Sequence, residues 1–397
     1  MKLLFVTSSL DLTQPFSATP AWWQLFKGLY EHDVEVIAAP YQGPSIESLW
    51  WRAAPNPARW QGDLFLKARQ TVRRVTGANA RIEALAVTPG VETWPDKTAR
   101  QVAQATIAPL WWRQIDRLLC AEPDIDAVIF LTVPLNHLVG VAAEIQQVHK
   151  TPVLYYDGDV PASLPQMQGF ASGFRIYQGA DLSEYAAFIS NSDGGAATLK
   201  DLGARAVHTL YYGADPDVFA PVDVPAQDID VLFYGHGREY RADWIDAMIK
   251  APSQALPQAR FAVRGTKLGD LGRAETLPYL SFSKLREYAA RTKINLCITR
   301  AAHANTPRSS SSRPFELAAM GCCIVSNPYD GIEAWFEPGK EIFVVGSAEE
   351  AVDCYRYLLD HEHERRRVGA AARQRVLAEH TFQHRAGQLI EIVRRYI

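Results

Sequence analysis

The sequence predicts an α/β protein built from two doubly wound domains, each a parallel sheet flanked by helices, facing one another across a cleft. Three observations predict it. Short β-branched or aliphatic runs alternate with amphipathic segments of helical length, the signature of βαβ units. The alternation stops in a Gly- and Pro-rich stretch near mid-chain and then restarts. A length of 397 residues exceeds one typical domain of about 150 residues.

In chain order, the first half offers strands at Lys2–Thr7, Val34–Ala39, Ala127–Thr132, Val153–Tyr156, Phe188–Ser190 and Val207–Leu210. The stretch Tyr211 to Pro221 follows, and its glycine and two prolines, Pro216 and Pro221, with Pro225 just beyond, continue neither strand nor helix. The domain boundary is placed there, giving domains at 1–218 and 219–381 and a terminal helix at 382–397. The second half resumes with strands at Ile229–Tyr234, Arg260–Arg264, Ile294–Thr299, Cys322–Ser326 and Ile342–Val345. Ser283–Arg291, Pro314–Met320 and Ala348–Leu359 are its most periodic helical segments. In such sheets ligands bind outside the carboxyl ends of the strands, so chemistry is expected in loops that follow strands.

Apolar residues make up 48% and charged residues 21%, which excludes an intrinsically disordered chain. A net charge of -3 gives no global pull toward nucleic acid, and no nucleic-acid partner is expected. The five cysteines, Cys120, Cys297, Cys322, Cys323 and Cys354, are scattered without a CxxC pair, which fits reduced, packed thiols and not a zinc site. Leu3 to Val6 is too short for a secretory signal, and the uncharged run Ala127 to Ala143 is broken by Pro134, Asn136 and His137. The expected compartment is the cytoplasm.

Strand Ile294–Thr299 delivers the chain into a polar loop, Arg300 to Ser312, and a helix starts near Arg313 with Pro314 in its first turn. Backbone N–H groups at a helix start, the hydroxyls of Ser311 and Ser312 and the Arg313 guanidinium make an anion site suited to a diphosphate. Glu316, one turn in, would repel phosphate but accept hydrogen bonds from a ribose diol; the plain alternative is that it complements the helix dipole. Gly321 closes the helix.

These residues carry a resemblance. Gly213-Ala214-Asp215 with Phe219 and Pro221, Gly235-His236-Gly237-Arg238, Arg313 to Gly321 and Glu333 to Gly339 resemble the donor domain of GT-B glycosyltransferases of the group 1 type, including the spore-maturation-like branch. The resemblance implies a GT-B fold of two Rossmann-like domains and transfer of a sugar from a nucleotide diphosphate sugar, with retention of configuration and no metal or other obligatory cofactor. It implies that Glu316 holds the ribose and that the last helix, Phe382 to Tyr396, crosses back to the first domain. One departure stands out: where the family often carries a second glutamate toward the sugar, this chain has Arg308. Either Arg308 binds phosphate, or His303, Asn305 and Thr306 hold the sugar.

Further phosphate contacts are Gly237 and Arg238, after the strand ending at Tyr234, where two glycines permit close backbone approach; the alternative is an ordinary turn. Arg264 or Lys267 ends the next strand and could stabilise a leaving diphosphate or simply be surface charge. A base for the acceptor hydroxyl has candidates in Asp157 and Asp159 around Gly158, in His137, and in Asp11 after the first strand, where such enzymes commonly place one. The alternatives are a turn and cap before Pro161 for the aspartates and an ordinary helix-start position for His137. A donor phosphate serving as base would make the aspartates dispensable.

The acceptor is a small molecule, a glycan or a lipid-linked species. Trp50, Trp51 and Trp60 lie among Arg52, Arg59, Lys67, Arg69, Arg73 and Arg74, which suits either a peripheral contact with the inner membrane face or helices whose aromatics pack a core, the latter favoured by Pro55 and Pro57. The rival functions are a nucleotide-sugar sensor or scaffold without transfer, and a nucleotide-sugar epimerase on the same fold.

Overall fold

The computed structural model describes residues 1–12, 20–62, 94–165, 176–235, 241–265, 268–278 and 282–397. Contacts divide the chain into two units. One comprises Met1–Asp11, Leu29–Leu210 and Ala386–Ile397; the other comprises Leu12–Gly28 and Tyr211–Arg385.

The first unit holds a seven-stranded sheet in the order β3-β2-β1-β4-β5-β6-β7, every pair parallel. Its strands are β1 Lys2–Thr7, β2 Glu35–Pro40, β3 Arg52–Ala53, β4 Ala127–Leu131, β5 Val153–Asp157, β6 Ala187–Ser190 and β7 Val207–Thr209. The described helices up to β7 are α1 Ala21–Glu31, α2 Trp94–Thr106, α3 Ala108–Ala121, α4 Val141–His149 and α5 Asp193–Asp201. Strands β1, β4, β5 and β6 are buried on both faces, as a parallel sheet covered by helices requires. Val128, Phe130 and Tyr155 pack with Trp111 and Ile115 of α3 and Ile145 of α4. Each such side chain contributes roughly 1.5–3 kcal/mol by leaving water.

The second unit holds a six-stranded parallel sheet in the order β10-β9-β8-β11-β12-β13. Its strands are β8 Ile229–Tyr234, β9 Phe261–Arg264, β10 Glu275–Thr276, β11 Thr292–Cys297, β12 Ile324–Ser326 and β13 Phe343–Val344. The period of two along β8 divides the core: Leu232 and Tyr234 join Phe315 and Val376 on one face, while Val231 and Phe233 join Ile249, Tyr355 and Leu358 on the other. The main helices are α6 Leu285–Ala290, α7 Ser312–Ala319, α8 Ala348–Asp360, α9 Glu362–Glu379 and α10 Phe382–Val393, the last divided between the units at Arg385 and Ala386.

Gly213-Ala214-Asp215 is a seam within this second unit. A Cβ on Gly213 would lie 2.6 Å from the His380 carbonyl oxygen, and Ala214 exchanges backbone hydrogen bonds with His380 and Phe382 at 3.1 Å each. The buried Asp215 carboxylate accepts from Lys27 Nζ at 2.7 Å and from the backbone of Asp217 and Val218. This motif therefore organises the fold around the turn into α10.

Candidate functional site

The strand order of the second sheet reverses between β8 and β11, so the crevice beyond their carboxyl ends is the place where a doubly wound sheet takes a ligand. Tyr234 closes β8 in register with Arg264, the last residue of β9. The Arg264 guanidinium lies over the Tyr234 ring, 4.8 Å from its centroid, and the arginine is fully buried. Each strand then gives way to a glycine: a Cβ on Gly265 would sit 2.4 Å from the Gly235 carbonyl oxygen, so only glycine lets the two strand ends lie this close.

β11 leads through the short helix Ala301–Ala304 into the serine loop. Ser309 and Ser310 are fully buried, and Ser310 Oγ accepts from the Tyr212 backbone N–H at 2.9 Å, which anchors the loop. Ser311 is the N-cap of α7, extended at φ -124° and ψ 146°, and its side chain makes no capping hydrogen bond. The first-turn N–H groups of α7 are thus not capped by Ser311, while Ser311, Ser312 and Arg313 are half-buried. Arg313 brings a second guanidinium to the same ring, 5.8 Å from the Tyr234 centroid. Its Nη1 lies 2.8 Å from Glu316 Oε2, and Glu316 has no exposed surface. Helix α7 ends at Gly321, which adopts φ +73°.

The expected site residues therefore separate into groups. Arg264, Arg313 and Glu316 gather at Tyr234, with Ser311 and Ser312 beginning the helix that carries the last two. Gly237, Arg238 and Lys267 lie outside the described residues. Arg308 is exposed with φ +46°, its backbone N–H bonded to the Asp330 carbonyl at 3.1 Å. Of the residues weighed for the sugar, Asn305 is exposed and Thr306 Oγ1 is spent on the Ala302 carbonyl at 2.7 Å. His303 is buried, its Nδ1 has no hydrogen-bond partner among the described residues, and burial with the charges of Arg300 and Arg241 lowers its pKa to about 3.

The base candidates in the first unit sit differently. Asp157 is not turned toward solvent: it has no exposed surface, and its carboxylate accepts from the Tyr177 and Ser163 hydroxyls and from the Asp159 backbone N–H. Burial raises its pKa against the pull of those donors. It is the hub of a buried network, because the β5 end directs the side chain inward. Asp159 is half-buried on the turn that follows. His137 Nδ1 pairs with the Tyr41 hydroxyl at 2.9 Å, and burial together with Arg100 lowers its pKa to about 4, leaving it neutral and weakly basic near pH 7. Asp11 is half-buried, its backbone N–H bonded to Ser9 Oγ at 3.1 Å.

Among the described residues, one group has metal-compatible donors close together: Asp116, Cys120 and His149, all in the first unit, whose ligand atoms lie within 4.8 Å of one another. No described helix is long and apolar enough to cross a membrane. Trp51 is buried with Nε1 bonded to the Ile46 carbonyl, whereas Trp60 is 71% exposed; Lys67, Arg69, Arg73 and Arg74 lie outside the described residues.

Sequence reasoning passed over Tyr234. Its signal was present, an aromatic at the last strand position before the Gly-x-Gly turn, but nothing in the pattern said that two arginines distant in sequence would meet on its ring.

Residues 238–391 match the family model described as glycosyl transferase-like. No curated protein matches the chain. Among solved structures, the chain is similar to a sucrose-phosphate synthase from Thermosynechococcus elongatus (14% identity, TM-score 0.65, covering 100% of this chain and 99% of that one). It is also similar to an α,α-trehalose-phosphate synthase (UDP-forming) from Burkholderia vietnamiensis (10%, 0.63, 100% of both chains). A third is Anabaena Alr3699/HepE in complex with UDP-glucose (13%, 0.59, 100% of both chains). The chain thus has the GT-B fold, two Rossmann-like domains, and its second half carries a glycosyl transferase-like domain.

Proposed function

We propose that the protein transfers a sugar from a UDP-sugar to an acceptor hydroxyl, with retention of anomeric configuration and without a metal ion. The observation that carries this reading is the convergence of Arg264, Arg313 and Glu316 at the switch point of the second sheet. The two guanidiniums and the first turn of α7 supply donors for a diphosphate; these stabilise the charge that grows on it as the glycosidic bond breaks. Glu316 accepts from the ribose hydroxyls. The choice of uridine rests on the UDP-bound and UDP-glucose-bound relatives.

The buried Asp157 and the weakly basic His137 favour a mechanism in which the departing phosphate, not a side chain, takes the acceptor's proton. The acceptor belongs to the small-molecule, glycan or lipid-linked classes, and the reaction takes place in the cytoplasm. Incubation with a panel of nucleotide sugars tests the reading: slow release of UDP from one UDP-sugar is expected. Tight binding with no release in the presence of an acceptor pool would instead indicate a sensor.

A further inference from the structure

We propose that Tyr234 is a positioning residue for the donor's diphosphate: its ring holds the guanidiniums of Arg264 and Arg313 together, so that two cations from separate elements meet one polyanion. The inference rests on the donor-site reading above and adds a residue to it.

Arg264 comes from the end of β9 and Arg313 from the first turn of α7, forty-nine residues on; only tertiary structure brings them together. Both lie within reach of the same aromatic quadrupole, at 4.8 and 5.8 Å from its centroid. Two like charges brought to one place repel, and in a buried setting that repulsion is little screened. The electron-rich ring and the Glu316 carboxylate, 2.8 Å from Arg313 Nη1, offset it. Tyr234 is itself 3% exposed and braced by Tyr288 at 6.4 Å between ring centroids, so the platform is rigid before any ligand arrives. Leu232, two residues earlier on the same face of β8, shows that an aliphatic side chain satisfies this core. The aromatic at the strand end is needed for its π face.

The test uses the full chain, with UDP and UMP as probes, in wild type, Tyr234→Phe and Tyr234→Leu, each titrated calorimetrically and checked for folding by its thermal midpoint. The phenylalanine variant keeps a π face and should bind UDP within about threefold of wild type. The leucine variant should lose about tenfold in UDP affinity and much less for UMP, so that the preference for the second phosphate collapses. Parallel losses for both nucleotides, an unchanged preference in the leucine variant, or a phenylalanine variant as impaired as leucine would overturn the assignment. If the leucine variant fails to fold, Tyr234→Met, which fills comparable space without a ring, decides between the same outcomes. A wild-type protein that binds neither nucleotide contradicts the donor-site reading itself, which is a different result from a wild type that binds UDP with an indifferent Tyr234.

Discussion

Arg313 and Glu316 form an ion pair across one turn of α7, Nη1 to Oε2 at 2.8 Å, with the carboxylate wholly inside the protein. Because the pair closes over the atoms proposed to hold the ribose, a nucleotide must offer each partner a substitute: phosphate for the guanidinium and a diol for the carboxylate. On the proposed reading, diphosphate and ribose recognition are thereby linked.

Glu316→Gln keeps the shape of the side chain and removes its charge. UDP affinity is expected to fall about tenfold or more, the order of losing one or two charge-assisted hydrogen bonds. Titration of both proteins with UDP checks it. Glu316→Ala should in addition cost about 3–5 kcal/mol of stability, since it strands a partly buried guanidinium; urea unfolding separates the two effects.

Asp157→Asn removes a buried charge whose partners are all internal. The variant should lose stability, on the order of 1–3 kcal/mol, from its hydrogen bonds with Ser163 and Tyr177. Turnover per folded molecule should change less than threefold. A hundredfold fall in kcat at unchanged stability would restore the carboxylate as the acceptor's base.

Three histidines are held neutral: His137 at about 4, and His303 and His380 at about 3. Their folded values lie below the unfolded one of about 6.5, so the unfolded chain takes up protons first as the solution is acidified. The stability they contribute is complete above about pH 7 and declines as pH falls through 6.5 toward 4. Unfolding free energies at pH 7.5 and 5.5 should differ by about 1 kcal/mol per histidine. Replacing His303 by Asn should flatten the slope by one histidine's share.

The glycine contact between α9 and the end of α7 is also testable. A Cβ on Gly369 would come within 2.2 Å of the Gly321 carbonyl oxygen, which belongs to backbone and cannot swing aside. Gly369→Ala is expected to destabilise by about 1–3 kcal/mol. Ala371, two residues along the same helix, offers a control position for substitution to Ser, where chemical denaturation should show a smaller change.

Much of the architecture was legible because parallel strands buried on both faces must be written as apolar runs. Leu3 to Val6, Ala127 to Leu131 and Ile229 to Tyr234 carry that mark, and each is a strand. The two-residue edge strands Arg52–Ala53 and Glu275–Thr276 escaped, since so short a pairing leaves no period to read. The helix with Arg313 and Glu316 was visible in the polar loop ahead of it and in Pro314 of its first turn. The inward turn of Asp157 was not, because the Tyr177 and Ser163 hydroxyls that hold it reach it through packing, which a linear spacing does not encode. The shared ring of Tyr234 was hidden for the same reason.

The most direct measurement is calorimetric titration of UDP into the wild-type protein and into Arg264→Met, a substitution that keeps the length of the side chain and deletes its charge. Saturable binding by wild type, weakened at least about tenfold in the variant, is the expected result. Equal affinity in the two proteins, or no binding by wild type even in the millimolar range, would contradict the assignment of this strand end to the donor.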